Sequence, residues 1–369
     1  MRTDRTYRYA AFYLALIAFG WLSSCRLNDN KIRGQYGPGT DPNSDSSPGD
    51  LIPPAPVPES FSLSYGSTDT FYRKSMAITP LVPVLTGTAT SLTIDPPLPP
   101  GLNLDTATGV ISGTPSLEVA PTIYTITAHH ADGRTVSSDI EFYVPFEFTT
   151  LASLGTLPDA NPGDGLCSDS GGDCTIRSAV SEANALSIPS IIHIPAGTYN
   201  FPVSGELTVS SNITLMGADK ATTIFDGQNQ TRILSVADDA VLSISELTLQ
   251  KGRLTAINES GAAVKAGLNS SLNFSDCRVI NNTSNYDKGG AVLSAGSVNI
   301  EECLFDNNNT IGGFASGGAI AVVYQTGSLF SNSLVIKNSQ LNNNTSSWDG
   351  GAVYSDYQGT ISDSEFINN

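Results

Sequence analysis

The sequence predicts an all-β protein in which a small β-sandwich is followed by a right-handed parallel β-helix with a short N-terminal capping helix. Glycine (34 residues) and proline (21 residues) are frequent, which favours strands joined by turns over helix bundles. Residues 61–146 alternate apolar and polar positions in short runs, as strands do. After residue 242 one pattern of apolar, small and asparagine positions returns at unequal intervals, which is typical of stacked coils with loops of different length.

Length and charge limit the classes of function. The 369 residues are enough for two or three domains, and 40% of them are hydrophobic, so a sizeable core can form. Lys and Arg number 18 against 35 Asp and Glu, a formal net charge of −17. Nucleic acids and anionic lipids both attract basic protein surfaces. The acidic sequence therefore argues against nucleic-acid partners and against membrane docking by charge alone.

The N-terminus has the organisation of an export signal. A basic start is followed by an apolar run from Ala10 to Leu22 and by the string LSSC, which ends at Cys25. This string resembles the lipobox of bacterial lipoproteins. The resemblance implies removal of residues 1–24, acylation of Cys25 with groups such as palmitate, and a lipid anchor, and the absence of Asp after Cys25 favours the outer membrane or cell surface. An ordinary signal peptide, or an apolar anchor with an incidental cysteine, is the alternative reading.

Residues 25–60 are predicted to be a lipidated, disordered tether. Gly, Pro, Ser and Asp dominate this stretch, and it has no apolar period. Its proline-rich end should be stiffer than its beginning, since proline favours extended chain.

The next domain, residues 61–146, is predicted to be an antiparallel sandwich. Asp132-Gly133 is a hairpin signal between two alternating runs. The apolar faces of these runs are Tyr124, Ile126 and Ala128 in the first, and Ile140, Phe142 and Val144 in the second. The string LPPGLNLDTATGVISGTP, from Leu98 to Pro115, resembles the Ig-like domains of bacterial surface proteins. That resemblance implies a spacer or binding unit, and no calcium-ligand run is carried over from it.

Residues 155–369 are predicted to form the β-helix. Repeats that begin near residues 242, 272, 298, 334 and 359 align into columns, whose members would lie above one another at the strand spacing of about 4.8 Å. The first column is Ile244, Phe274, Ile300, Ile336 and Ile361, the second is Leu247, Cys277, Cys303, Ser339 and Ser364, and the third is Leu249, Val279, Phe305, Leu341 and Phe366.

Two further patterns predict how the coils turn. A fourth column predicts an asparagine ladder that bonds turn carbonyls and fixes the register, and it comprises Asn281, Asn307, Asn343 and Asn368. The string Gly-Gly-Ala followed by Val or Ile, which begins at Gly289, Gly317 and Gly350, should form a corner. Glycine permits a backbone angle there that a side chain would forbid.

A short amphipathic helix is predicted before the coils. It should begin near Thr175, since Ile176, Val180 and Ala183 follow a helical period, and it should cover the open end of the stack. The string CTIRSAV resembles the CSLREAI-type motif that begins many secreted bacterial β-helix proteins, with several departures. The FxxN and GGA repeats resemble those of polymorphic outer membrane proteins, and together the resemblance covers about residues 155–369.

Four cysteines remain once Cys25 is set aside. Cys167 and Cys174 bracket a short polar loop of an exported chain, which predicts a disulfide. Cys277 and Cys303 share a column that points into the coil. They are expected to be stacked thiols that act as small apolar fillers, and a bond between them stays open.

The sequence argues against catalysis, cofactors and metals. Asp238-Asp239 is an adjacent acidic pair among the coils, and it lacks the surroundings of a polysaccharide hydrolase motif. A possible calcium loop contains Asp159, Asn161 and Asp164, but its spacing differs by one residue from an EF-hand-like pattern. Roles in forming turns fit these residues better. We therefore expect a non-enzymatic protein without a cofactor or bound metal.

A row of aromatic residues is the candidate binding site. Tyr286, Phe314 and Trp348 each precede a Gly-Gly corner, so the register places them along one edge of the stack. Exposed aromatic side chains suit sugar or protein partners. The alternative is that the three residues pack on one another along the loops.

These observations predict a lipid-anchored surface protein whose β-helix serves adhesion, with a host or matrix protein or a glycan as partner. A structural envelope protein without a ligand, or a polysaccharide lyase or hydrolase, is the alternative. The sequence stops at Asn369 in the middle of a repeat, so we expect either a truncated product or an open end that pairs with another molecule.

Overall fold

A computed structural model describes residues 59–369, apart from 67–70, 203–204, 257–258, 286–287, 314 and 330. The predicted signal peptide, Cys25 and nearly all of the predicted tether lie outside the described residues. The predicted all-β architecture is confirmed: an Ig-like region precedes a parallel β-solenoid, and the described residues contain one α-helix. In that part of the chain, no helix has both the length and the apolar character needed to cross a bilayer.

The Ig-like region consists of short antiparallel strands around its own core. β3, β6 and β7 form one sheet, and β1–β2 and β4–β5 form two antiparallel pairs. The predicted hairpin around Asp132-Gly133 joins β6 to β7, and Tyr124 and Phe142 stack in the core with ring centroids 4.7 Å apart. The strands are β1 (Ser62–Tyr65), β2 (Pro83–Thr86), β3 (Ser91–Asp95), β4 (Leu102–Leu104), β5 (Ile111–Gly113), β6 (Val119–His129) and β7 (Thr135–Val144).

The solenoid begins directly after β7, because Pro145 leads into a strand that pairs in parallel with the first full coil. Its elements are β8 (Phe146–Thr149), α1 (Ile176–Ala185), β9 (Ser190–Ile194), β10 (Gly197–Asn200), β11 (Leu207–Val209), β12 (Asn212–Gly217), β13 (Thr223–Asp226), β14 (Leu234–Val236), β15 (Val241–Ser245), β16 (Thr248–Gln250), β17 (Val264–Ser275), β18 (Arg278–Ile280), β19 (Thr283–Asn285), β20 (Val292–Glu301), β21 (Leu304–Asp306), β22 (Asn309–Ile311), β23 (Ile320–Val322), β24 (Leu334–Lys337), β25 (Gln340–Asn342), β26 (Val353–Ser355), β27 (Gly359–Ser362) and β28 (Glu365–Ile367).

Two parallel sheets run along the solenoid axis. One is a 7-stranded sheet in the order β10-β13-β16-β18-β21-β25-β28. The other is built on β8, β9, β12, β15, β17 and β20 and continues through the pairs β23–β26 and β24–β27. The three predicted columns are confirmed by the register, which places Ile244 beside Phe274, Phe305 beside Leu341, and Cys303 beneath Ser339. The apolar members of these columns form one continuous core as far as Leu341, whereas Ile361 and Phe366 of the last coil are 51% and 41% exposed.

The helix α1 begins where the sequence predicts. Thr175 is its N-cap: the Thr175 hydroxyl accepts from the Ser178 backbone N–H, and the Ser178 hydroxyl bonds back to the Thr175 N–H. Its buried face, with Ile176, Val180 and Ala183 at most 3% exposed, joins the solenoid core. The helix therefore covers the first coils, which would otherwise expose apolar residues.

The buried asparagine ladder lies one residue later than predicted. Asn281, Asn307, Asn343 and Asn368 are exposed, take positive φ angles, and form a broken set of contacts, since Asn343 donates to Asp306 rather than to Asn307. The side chains of the next column point inward, and Asn282, Asn308 and Asn344 are 0% exposed. The Oδ1 atom of each accepts a hydrogen bond from a backbone N–H of the preceding coil, or rung, of the solenoid. The left-handed turn at the first asparagine causes this, because it leaves that side chain in solvent and turns the following side chain into the stack.

Glycine at the predicted corners is required by close backbone contact between rungs. Gly289, Gly317 and Gly350 have φ angles of 71°, 70° and 62°. The second glycine of each corner has no room for a side chain, since a Cβ on Gly318 would lie 2.1 Å from the Gly351 carbonyl oxygen. The corners therefore hold successive rungs at backbone contact distance.

Candidate functional site

The predicted aromatic row is described at one of its three positions. Trp348 is 61% exposed, and its backbone N–H donates to the Ala315 carbonyl 3.0 Å away, so the two neighbouring loops are stacked there. Tyr286 and Phe314 lie outside the described residues. Trp348 thus lies on the surface of a loop between an asparagine corner and a glycine corner, and a shared edge for the three aromatic residues stays a prediction.

Further aromatic residues lie next to these loops on the outer face of the solenoid. Tyr354 lies one rung beyond Ala321 and against Gly317, so it is close to the loop segment that Trp348 contacts. Tyr324 is 49% exposed, and its ring centroid is 6.4 Å from that of Tyr357. We name Tyr324, Trp348, Tyr354, Asp356 and Lys288 the lateral patch.

The polar groups of the lateral patch hold its rings in place. The Tyr354 hydroxyl donates to Asp356 Oδ1 at 2.6 Å, and the Tyr324 backbone N–H donates to Asp356 Oδ2 at 3.0 Å. The ammonium of Lys288 lies 4.1 Å from the centroid of the Tyr354 ring and 4.0 Å from Asp356 Oδ2. One carboxylate therefore connects two aromatic residues and a cation from three rungs.

The charge of Asp356 is favoured by this arrangement. Burial opposes ionisation, but the Tyr354 hydroxyl, the Tyr324 N–H and Lys288 together lower the pKa of Asp356 below its ordinary value. Asp356 is thus ionised at neutral pH, and the patch carries one acidic and one basic group beside exposed rings.

Most of the lateral patch was not predicted from the sequence. Tyr324 lies in a connection, residues 323–333, that has no counterpart of similar length in the other rungs, so no column contains it. Tyr354 had a usable signal, because it follows the GGAV corner string and shares an outward column with Lys265, Leu293 and Ala321.

The predicted disulfide residues lie in the loop before α1. Cys167 and Cys174 are bonded, with their Cα atoms 5.0 Å apart, and both pack against the solenoid core. Glu182 of α1, 0% exposed, fastens the same loop: its two carboxylate oxygens accept from the N–H groups of Gly163 and Gly165 at 2.6 Å each. The role of Glu182 could not be predicted from the sequence, because its partners are backbone N–H groups, which any residue can provide.

Three carboxylates, two in this loop and one on α1, lie close together. Oxygens of Asp159, Asp164 and Glu182 lie within 4.8 Å of one another. Asp159 accepts from the Asn161 and Ser168 N–H groups, and Asp164 accepts from the Leu166 N–H. These bonds, with those of Glu182, are the bonds that turn-forming residues make.

The other two described cysteines are free thiols inside the stack. Cys277 is 0% and Cys303 3% exposed, and the Cys277 N–H points to Cys303 Sγ at 3.3 Å. Burial raises the pKa of the Cys303 thiol well above its ordinary value. A neutral buried thiol is unreactive, which agrees with the predicted role as an apolar filler.

Comparisons with known proteins identify two segments. Residues 53–145 match the family described as Putative Ig domain, and residues 338–356 match the Chlamydia polymorphic membrane protein repeat. No curated protein matches the chain. A solved structure, the family 28 exopolygalacturonase of Yersinia enterocolitica, aligns over 78% of this chain and 96% of its own at 9% identity, but with a TM-score of 0.16, which supports no inference. The chain is therefore similar to Ig-like domain proteins in its first half and to a polymorphic membrane protein repeat in the segment that carries Trp348, Tyr354 and Asp356.

Proposed function

We propose that this protein is displayed at a bacterial cell surface by a lipid on Cys25 and binds a partner through the lateral patch of its solenoid. The observation that carries the proposal is the exposure of Trp348 and Tyr324 on stacked rungs, with the Tyr324 N–H bonded to Asp356 and Lys288 4.0 Å from the same carboxylate. Rigid aromatic side chains with a few polar groups are common in binding sites, because little conformational entropy is lost when a partner binds.

Two sequence features support the surface location. The N-terminal segment resembles a lipoprotein signal, and the repeat that matches residues 338–356 is one found in a polymorphic membrane protein. An Ig-like spacer and a CSLREAI-type cap fit an exported chain of this order. A Cys25→Ser variant should shift from the membrane fraction to the soluble fraction, and the wild-type chain should take up labelled palmitate. An unlabelled wild-type chain would contradict the anchor.

Binding through the lateral patch can be tested on the purified full-length chain. We expect immobilised matrix proteins, or whole cells, to retain the chain, and Trp348→Ala with Tyr324→Ala to weaken retention at least tenfold. Val84→Ala is the matched control, since Val84 is 66% exposed on the Ig-like region. Unchanged retention of the double variant would reject the patch, and retention of neither chain would reject adhesion.

We infer a binding role rather than catalysis, and the buried acids support this. The acidic residues that are less than 9% exposed in the described chain, Asp159, Glu182 and Asp226, all bond the protein's own N–H or ammonium groups. A polysaccharide panel incubated with the chain should show no new reducing ends. Their appearance would favour the lyase or hydrolase alternative.

A further inference from the structure

A second surface feature lies on a different side of the solenoid from the predicted site. It is a cleft of about 370 Å³ lined by Lys220, Arg278, Glu302, Leu304, Asn338 and Gln340, which we name the corner groove. Its residues come from successive rungs, since Arg278, Leu304 and Gln340 are register neighbours on β18, β21 and β25. Glu302 and Asn338 occupy the left-handed turns that precede two of these strands. The groove therefore follows the long axis of the stack.

The polar side chains of the corner groove are left without internal partners. Within the described residues, Arg278, Glu302, Asn338 and Gln340 make no side-chain hydrogen bond or ion pair, although carboxylates outnumber cations nearly two to one in the whole chain. Similar side chains elsewhere on the solenoid are paired between rungs: Asn299 donates to Asn273 at 3.0 Å, and Gln250 donates to Asp226 at 2.7 Å. The corner groove thus presents four adjacent polar side chains whose donors and acceptors are available to a ligand or to water.

The chemistry of these groups restricts the ligand. Guanidinium, amide and carboxylate groups offer planar donors and acceptors, and Leu304 supplies an apolar floor between them. The charges balance, because Arg278 and Glu302 are opposite and Lys220 is already paired with Asp276. Equivalent positions recur about every 4.8 Å along the axis, close to the length of one sugar ring in an extended chain. A neutral polymer of hydroxyl-bearing rings fits all three properties.

We propose that the corner groove binds a segment of a neutral oligosaccharide that lies along the solenoid axis. This inference rests on the proposed binding role and adds a site, separate from the lateral patch, and a ligand class. Sugar hydroxyls would complete the hydrogen bonding of Arg278, Glu302 and the two amides, and ring C–H groups would contact Leu304.

The test is calorimetric binding of neutral hexasaccharides (cello-, laminari-, manno- and xylohexaose) to the purified full-length chain. At least one should bind, and Arg278→Ala and Gln340→Ala should each weaken it tenfold or more without lowering the melting temperature. Val84→Ala, on the Ig-like region, is the control that should keep full affinity, and Trp348→Ala is measured beside it to test the lateral patch.

Three outcomes would overturn the groove proposal: no binding of any neutral hexasaccharide, unchanged affinity in both groove variants, or tighter binding of hexagalacturonate than of every neutral probe. Loss of sugar binding only in Trp348→Ala would assign the sugar to the lateral patch and leave the proposed function standing. Loss of matrix or cell adhesion is measured separately, so the two proposals can fail independently.

Discussion

Adjacent asparagines at the end of each repeat occupy unlike environments. Asn307 is exposed in a left-handed turn, whereas Asn308 is fully buried and bonded on both sides. Asn308 Nδ2 donates to the Val279 carbonyl at 2.8 Å and to Asn344 Oδ1 at 3.0 Å, and its Oδ1 accepts from the Asn282 N–H and amide. One side chain thus satisfies polar groups of the two rungs on either side of its own.

Asn308→Ala should therefore lower the free energy of unfolding by about 2–3 kcal/mol, because it leaves buried donors and an acceptor unpaired. Asn307→Gly is the matched control. Glycine keeps the positive φ, so we expect a change within about 0.5 kcal/mol. Urea denaturation of both variants measures the difference, and equal losses would contradict the inward ladder.

The sequence could show the asparagine pairs but not their division of roles. Alignment of repeats finds columns, and the register of Ile244, Phe274 and Phe305 follows from apolar periodicity alone. Which of two identical neighbours takes the left-handed turn depends on backbone angles that periodicity does not contain. Tyr324 and Glu182 were missed for a related reason, since an inserted connection and bonds to backbone N–H groups leave no repeat to align.

At the scale of elements, the Gly-Gly corner is a place where one rung lies at backbone contact distance from the next. A Cβ on Gly318 would lie 2.1 Å from the Gly351 carbonyl oxygen and 2.4 Å from that of Thr345. Both atoms are backbone, so neither can move without shifting a rung. The corner is therefore fixed by its neighbours on both sides.

Gly318→Ala should destabilise the solenoid by about 1–3 kcal/mol or more, the range found for overpacking. Gly313→Ala is the control in the connection that precedes the same corner, since a Cβ there would have no atom within 4 Å. Thermal unfolding should show a clear decrease in melting temperature for the first variant alone. Equal melting temperatures of the two variants would mean that the corner has room for a Cβ at Gly318.

At the scale of the whole molecule, the Ig-like region and the solenoid are joined by more than the chain. The carboxylate of Glu147 in β8 lies 2.9 Å from His193 Nε2 in the solenoid and 3.6 Å from Arg73 Nε in the Ig-like region. The hydrogen bond with His193 lowers the pKa of Glu147, burial opposes this, and Arg73 adds to it. A single ionised group therefore bridges the two bodies.

A lowered pKa in the folded state means that the contribution of Glu147 is present above its unfolded pKa of about 4.3 and is lost as the pH falls through the folded value. We expect Glu147→Gln to lower the stability on the order of 1 kcal/mol at pH 7, with the difference shrinking in more acidic solution. Glu141→Gln, on the neighbouring strand, should have no such effect. A pH-independent difference would contradict the bridge.

Among the places where the rungs differ in length are the connections between asparagine and glycine corners and the segment 323–333. Trp348 stands in the first and Tyr324 in the second, while corners and columns stay constant. Substitutions, insertions or deletions in these connections would therefore change the exposed side chains while the buried columns and the glycine corners are kept.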